Sequence, residues 1–413
     1  MRNTLKVVPI MAGLAAALLM LSGCSSGGST KASDPSNKTW AETLKEAKGQ
    51  TVNWYMYGGD DHLNAYVNGY VATQAAKVGV KINEVKITDT VDAINKVLGE
   101  KQAGKTSNGS VDLIWVNGEN FATGKQASLW LCGWAKSLPN AKYVDWTSPA
   151  IANDFGTPVD NCEAPWNQSM SVVVYNSSKA KASDFSDVAA LADWAKQNPG
   201  QFTYPAPPDF NGSMAVRRMF YDAVGGYKQL LGPFSQSKYD TLAPKAWDFL
   251  NKLEPNLWMK GQTYPQSIDQ VQQLFASGEI SAYMSYDAGG VGPLVDKGTF
   301  PSETREAVFR DGMIGNTNYV GIPANSPHQA AARVLANILE SPEAQLQKAD
   351  TRVLGYYPAI QMDKTPVGSA YDALPSSPSV LSFPDQQKNA NPELVAKWIN
   401  AIDAGWKQNV LQK

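Results

Sequence analysis

Three times along this 413-residue chain a short apolar run stops at a polar, glycine-containing loop. Thr51–Tyr57 ends at Gly58-Gly59-Asp60-Asp61, residues 111–116 at Asn117-Gly118-Glu119-Asn120, and residues 280–286 at Asp287-Ala288-Gly289-Gly290. Between such runs apolar residues recur at helical spacing, as at Leu63, Tyr66, Val67, Tyr70 and Val71. Asp89 is placed to cap a helix whose inner face carries Val91, Ile94 and Leu98. Short strands alternating with amphipathic helices predict an α/β fold. In open parallel sheets ligands collect at the carboxyl ends of strands, which is where these loops fall.

A second set of elements follows Trp166: strands over 171–175, 201–204 and 280–286, and helices over 185–197, 239–253 and 267–277. A strand over 319–322 and a helix over 329–339 come later, and no repeat of fixed period is present. At this length two domains are expected rather than one.

The amino terminus reads as an address. Arg2 and Lys6 precede an apolar run from Val7 to Leu21, too short for a comfortable membrane span and interrupted by Pro9 and Gly13. The run ends in Leu21-Ser22-Gly23-Cys24, which resembles the bacterial lipobox, in which the chain is cut before the cysteine and the cysteine takes a lipid. Residues 1–23 are therefore expected as a lipoprotein signal peptide, and 24–39, rich in Ser and Gly, as a flexible tether. The anchor would be the lipid on Cys24, at the outer face of a membrane. Two cysteines then remain, Cys132 and Cys162. In an exported chain they suggest one disulfide, with two buried thiols as the alternative.

Charge is nearly balanced, 36 Lys plus Arg against 38 Asp plus Glu, so nothing electrostatic invites nucleic acid. Two histidines, His62 and His328, leave little room for a histidine-built metal or acid–base centre. Nucleophile-elbow, zinc-protease and phosphate-loop motifs are absent from the sequence. No catalytic residue, metal or cofactor is expected.

Several segments together resemble the extracellular solute-binding proteins of bacterial ABC importers. They are 112–121 (Asp-Leu-Ile-Trp-Val-Asn-Gly-Glu-Asn-Phe), 172–176 (Val-Val-Val-Tyr-Asn), 280–286 (Ile-Ser-Ala-Tyr-Met-Ser-Tyr) and 321–327 (Gly-Ile-Pro-Ala-Asn-Ser-Pro). Residues 117–121, 204–210 and 309–316 are similar to the YnjB-type branch of that family. The resemblance implies a periplasmic-binding-protein-like fold of two α/β lobes joined by crossover segments, with ligand in the cleft between them. Lobe one is expected over 40–166 plus 285–317, and lobe two over 167–284 plus 318–413. It also implies a small-molecule ligand and two protein partners, a permease and, through it, an ATPase.

Ligand-binding candidates come from the strand ends and crossovers: Tyr57, Gly58, Gly59 and Asp60; Asn117, Glu119 and Asn120; Trp166, Tyr204 and Tyr286; Asp209, Phe210 and Asn211; Asp287; and Asn316. Each has a plainer reading as a turn, a helix cap or a core aromatic. Carboxylates interleaved with aromatic rings, without Arg or Lys in the same loops, favour a small organic cation such as a polyamine or a thiamine-like compound. A sugar is the alternative ligand. An exported enzyme, or an adhesion or signalling lipoprotein on the same scaffold, is the alternative class.

Overall fold

The computed structural model describes residues 38–287 and 289–413, with the backbone alone for Asp287. The signal segment, Cys24 and most of the tether lie outside the described residues. Thr39 caps the Trp40–Ala47 helix in a reciprocal capping box with Glu42.

In chain order the strands are β1 (Thr51–Tyr57), β2 (Lys81–Ile87), β3 (Leu113–Val116), β4 (Asn153–Asp154), β5 (Thr157–Pro158), β6 (Glu163–Asn176), β7 (Phe202–Thr203), β8 (Ala282–Asp287), β9 (Thr304–Ala307) and β10 (Gly315–Gly321). Eight of them form one sheet in the order β2-β1-β3-β10-β6-β8-β7, with β9 also on β6, while β4 and β5 make a small hairpin. β1 pairs in parallel with β2 and β3, as the helical crossovers between them require. Its alternation is clean, with Val52, Trp54 and Met56 buried.

β6 runs for 14 residues, starting well before the predicted 171–175. Its first residues, Glu163 to Pro165, pair antiparallel with Gly321 to Tyr319 of β10, while its far end pairs with β8 and β9. One strand thus belongs to both halves of the molecule. A register shift at Asn318 and Tyr319 sets Asn167 and Pro165 opposite them, so Trp166 stands in a bulge.

Two cores flank this crossing. The first gathers Trp54, Met56, Leu63, Val67, Leu113, Trp166, Val320, Ile322 and Leu335. The second gathers Val173, Met214, Met219, Phe220, Met284, Phe309, Ile314, Trp398 and Trp406. This reverses the expected placing of two segments. Within 285–317, Ala307, Phe309, Met313 and Ile314 pack in the second core; within 318–413, Val320 to Leu339 pack in the first. The reason is strand pairing: β8 lies between β6 and β7, and the chain returns to β3 only through the Tyr319–Gly321 end of β10. From Leu394 onward the chain packs in the second core.

Asp89 does cap the Thr90–Gln102 helix, accepting from Val91 N at 3.0 Å. Its inner face is Ala93, Ile94 and Val97, whereas Val91 is exposed. Cys132 and Cys162 form a disulfide across 30 residues, fastening the chain just ahead of β6.

Candidate ligand-binding site

At the end of β1, Tyr57 is half-buried and its phenol is pushed up to about 12. Burial is the main cause, followed by the negative charges of Asp269, Asp60 and Asp209. Asp60 lies on the first-core side, whereas Asp209 and Asp269 sit at helix starts on the second-core side. A Cβ on Gly59 would fall 2.2 Å from the Tyr57 hydroxyl oxygen, so glycine there lets the ring lie over the loop. Asp60 is also the N-cap of the Asp61–Tyr66 helix, one oxygen accepting from His62 N at 2.8 Å and Leu63 N at 3.2 Å. Its other oxygen accepts from the Tyr356 hydroxyl at 2.9 Å.

After β3, Asn117 precedes the Gly118–Gln126 helix without capping it. Its amide instead donates to Asn318 Oδ1 at 3.1 Å, an oxygen that also accepts from Trp115 Nε1 at 3.0 Å. Gly118, at φ +60°, donates its N–H to the buried Asp154 at 2.7 Å. Glu119 is exposed and accepts from Asn400 Nδ2 at 3.2 Å, a contact reaching the Ala396–Trp406 helix of the second core. Asn120 is half-buried. Asn316 is 6% exposed on the crossover strand β10, and neither atom of its amide group has a hydrogen-bond partner.

From the second core come the aromatic faces. Asp209 caps the Phe210–Ala223 helix, accepting from the N–H groups of Asn211 and Gly212, each at 2.9 Å. Burial pushes its carboxyl above the ordinary range against those bonds. Phe210 is 42% exposed, its ring 4.9 Å from Tyr286 and 6.3 Å from Phe155. Asn211 Oδ1 accepts from Tyr286 N at 2.7 Å and from Ser285 Oγ at 3.1 Å, locking the helix start to the end of β8. The Tyr286 hydroxyl donates to Glu393, which accepts twice from Arg217, at 3.0 and 3.1 Å. The side chain of Asp287 lies outside the described residues.

Two expected site residues are core instead. Trp166 has no exposed surface and packs edge-on against Trp54 and Trp115, at 5.6 and 4.8 Å. Tyr204 is buried with Tyr264 and Trp406 and accepts from Trp406 Nε1 at 3.2 Å. Large rings beside a crossover gain more by filling the core than by facing a cleft.

Phe155, Asp269, Asn318, Tyr356 and Glu393 were not singled out by sequence. Asp269 has the signature of an ordinary first-turn acid after the Ser267 cap. The others reach the site through contacts of long sequence separation, for which the chain carries no local signal. Two lysines also stand nearby. Lys86 packs against Gly58, and Lys297 meets His62 Nε2 from the second-core side. Gly58, Gly59, Lys86 and Asp92 line a cavity of about 360 Å³ at the rim. A larger concavity of about 680 Å³, around Trp258, Tyr264 and Gln270, contains none of the expected site residues.

Residues 69–369 match the family model described as bacterial extracellular solute-binding protein. The chain belongs to that family. Protein YnjB of Escherichia coli strain K12 is 34% identical over 371 residues, covering 89% of this chain and 92% of that protein. Among solved structures, the spermidine/putrescine ABC transporter substrate-binding protein PotD of Streptococcus pneumoniae aligns at TM-score 0.61 and 15% identity, covering 87% of this chain and 98% of that one. A periplasmic thiamin binding protein aligns at TM-score 0.57 and 19% identity, over 87% and 96%. At these identities the two structures share the fold with this solute-binding protein and establish nothing about its ligand. The fold is that of periplasmic binding proteins of ABC transporters, which hand a small ligand to a permease driven by an ATPase. Among the described residues of this solute-binding protein, no helix is long and apolar enough to cross a membrane.

Proposed function

We propose that this protein is the lipid-anchored receptor of an ABC importer, not an enzyme, and that it holds a small organic cation between lobes built on its two cores. The observation that carries the ligand class is the surroundings of Tyr57. Carboxylates from both sides, the partly buried Asp60 on one and Asp209 on the other, with the exposed Asp269 beyond them, set negative charge around one half-buried phenol. Carboxylates drawn into a partly dry cleft are costly unless a positive charge offsets them. A cation also suits the aromatic faces of Phe210 and Tyr286, each contact contributing about 0.5–2 kcal/mol.

On this reading Gly58, Gly59, Asn120 and Asp287 line the approach, while Glu119 with Asn400 and His62 with Lys297 are contacts between the lobes. A sugar is the second reading, favoured by the amides of Asn117, Asn316 and Asn318 together with the exposed ring of Phe210. Native mass spectrometry of the purified protein separates them. A co-purifying amine or quaternary ammonium supports the cation, and a bound neutral hexose overturns it. The anchor rests on Leu21-Ser22-Gly23-Cys24. Cys24→Ala should abolish fatty-acid labelling, and unchanged labelling would reject the assignment.

A further inference from the structure

Resting on the cation reading, we propose that Asn316 contacts the ligand and selects for a cation that also presents a hydrogen-bond donor and acceptor side by side. Asn316 and Asn318 lie two residues apart on β10 and so share one face of the strand. Thr317 between them points the other way, its hydroxyl donating to Ala150 O at 2.8 Å. On the shared face the Asn318 oxygen is taken by Trp115 and Asn117, at the carboxyl end of β3.

Asn316 is different. It is 6% exposed, and both its Oδ1 and its Nδ2 lack a partner. Leaving buried polar groups unmet is costly, a cost the fold would shed with an apolar residue. Asn211 shows the alternative, since its oxygen serves Tyr286 N and Ser285 Oγ and ties two elements together. Asn316 ties nothing.

A carboxamide sets one N–H donor group beside one carbonyl acceptor. Its complement is a ligand edge with an acceptor and a donor adjacent, as on an amide or an amino-heteroaromatic ring. A plain ammonium supplies donors only and would leave Nδ2 unmet. The structure therefore favours a cation bearing such an edge over a linear polyamine.

Calorimetry with thiamine, putrescine and neutral cytosine, on wild type and Asn316→Leu, tests this. Wild type should prefer thiamine to putrescine. Asn316→Leu should weaken thiamine at least about tenfold, leave putrescine within about twofold and melt no lower than wild type. Should the leucine variant not fold, Asn316→Ala reads the same thiamine-to-putrescine ratio. Equal losses for both cations, an unchanged ratio, or no binding of any probe overturns the proposal. Putrescine binding that is tight and indifferent to residue 316 overturns it while keeping the cation reading. Cytosine binding that needs Asn316, with neither cation bound, keeps the selective edge and removes the cation.

Discussion

Behind each face of the cleft lies a buried acid, and the two are handled in opposite ways. On the second-core side Glu393 is matched by Arg217, whose guanidinium also donates to Ser213, and Ser213 in turn donates to Asp403 at 2.7 Å. On the first-core side Asp154 receives only the Gly118 N–H, and both oxygens of its neighbour Glu163 lack a partner. Burial pushes Asp154 up to about 8, with the charge of Glu393 adding to the effect, and pushes Glu163 well above the carboxylate range, with the charge of Asp154 adding to it. The contrast teaches what each side depends on. The Tyr286 side buries a charge-paired acid, whereas on the Gly118 side burial favours the protonated carboxyl.

Breaking the paired side should have the largest effect. Arg217→Met leaves Glu393 buried without its counter-charge and should destabilise the fold by about 3–5 kcal/mol. Urea unfolding measures this, and a loss below about 1 kcal/mol would mean the pair does not support the Tyr286 face.

The unpaired side should show itself through pH. Asp154 titrates near 8 when folded and near an ordinary aspartate value of about 4 when unfolded. Between those values the folded chain holds a proton that the unfolded chain releases. Its contribution is complete below about pH 4, is lost as pH rises towards 8 and changes no further above that. Asp154→Asn should flatten this part of the melting-temperature profile between pH 5 and 9. An unaltered slope would contradict the protonated carboxyl.

Smaller effects belong to the cleft itself. Asp209→Asn keeps a good N-cap for the Phe210–Ala223 helix, so the melting temperature should move little. Affinity for a cationic ligand should nevertheless fall about tenfold, because one of the charges around Tyr57 is gone. Phe210→Ala, at an exposed position, should weaken binding by about threefold to tenfold with a similarly small stability change. Losses of stability that track the losses of affinity would make both residues structural.

Much of this arrangement was legible in the sequence. Strand ends near Tyr57, Val116 and Asp287 and the helix start at Asp209 follow from local pattern and turn chemistry, whereas the meeting of the Phe210 and Tyr286 rings does not. The assignment of 285–317 and 318–339 did not follow, because an apolar strand reads the same whichever half of the sheet it joins. Trp166 misled for a related reason: the bulge that turns it into the first core depends on register with β10, 150 residues away in the chain. Asn316 could be picked out by its place at a crossover, but its missing partner is visible only once the strand is in place.

The central claim is that positive charge on the ligand is what the cleft recognises. Calorimetry with one ammonium compound and its neutral isostere, differing only in the charged atom, tests it most directly. The cation should bind at least about a hundredfold tighter than the isostere, with the gap shrinking in Asp209→Asn. Equal affinities for the pair, unaffected by Asp209→Asn, would contradict it.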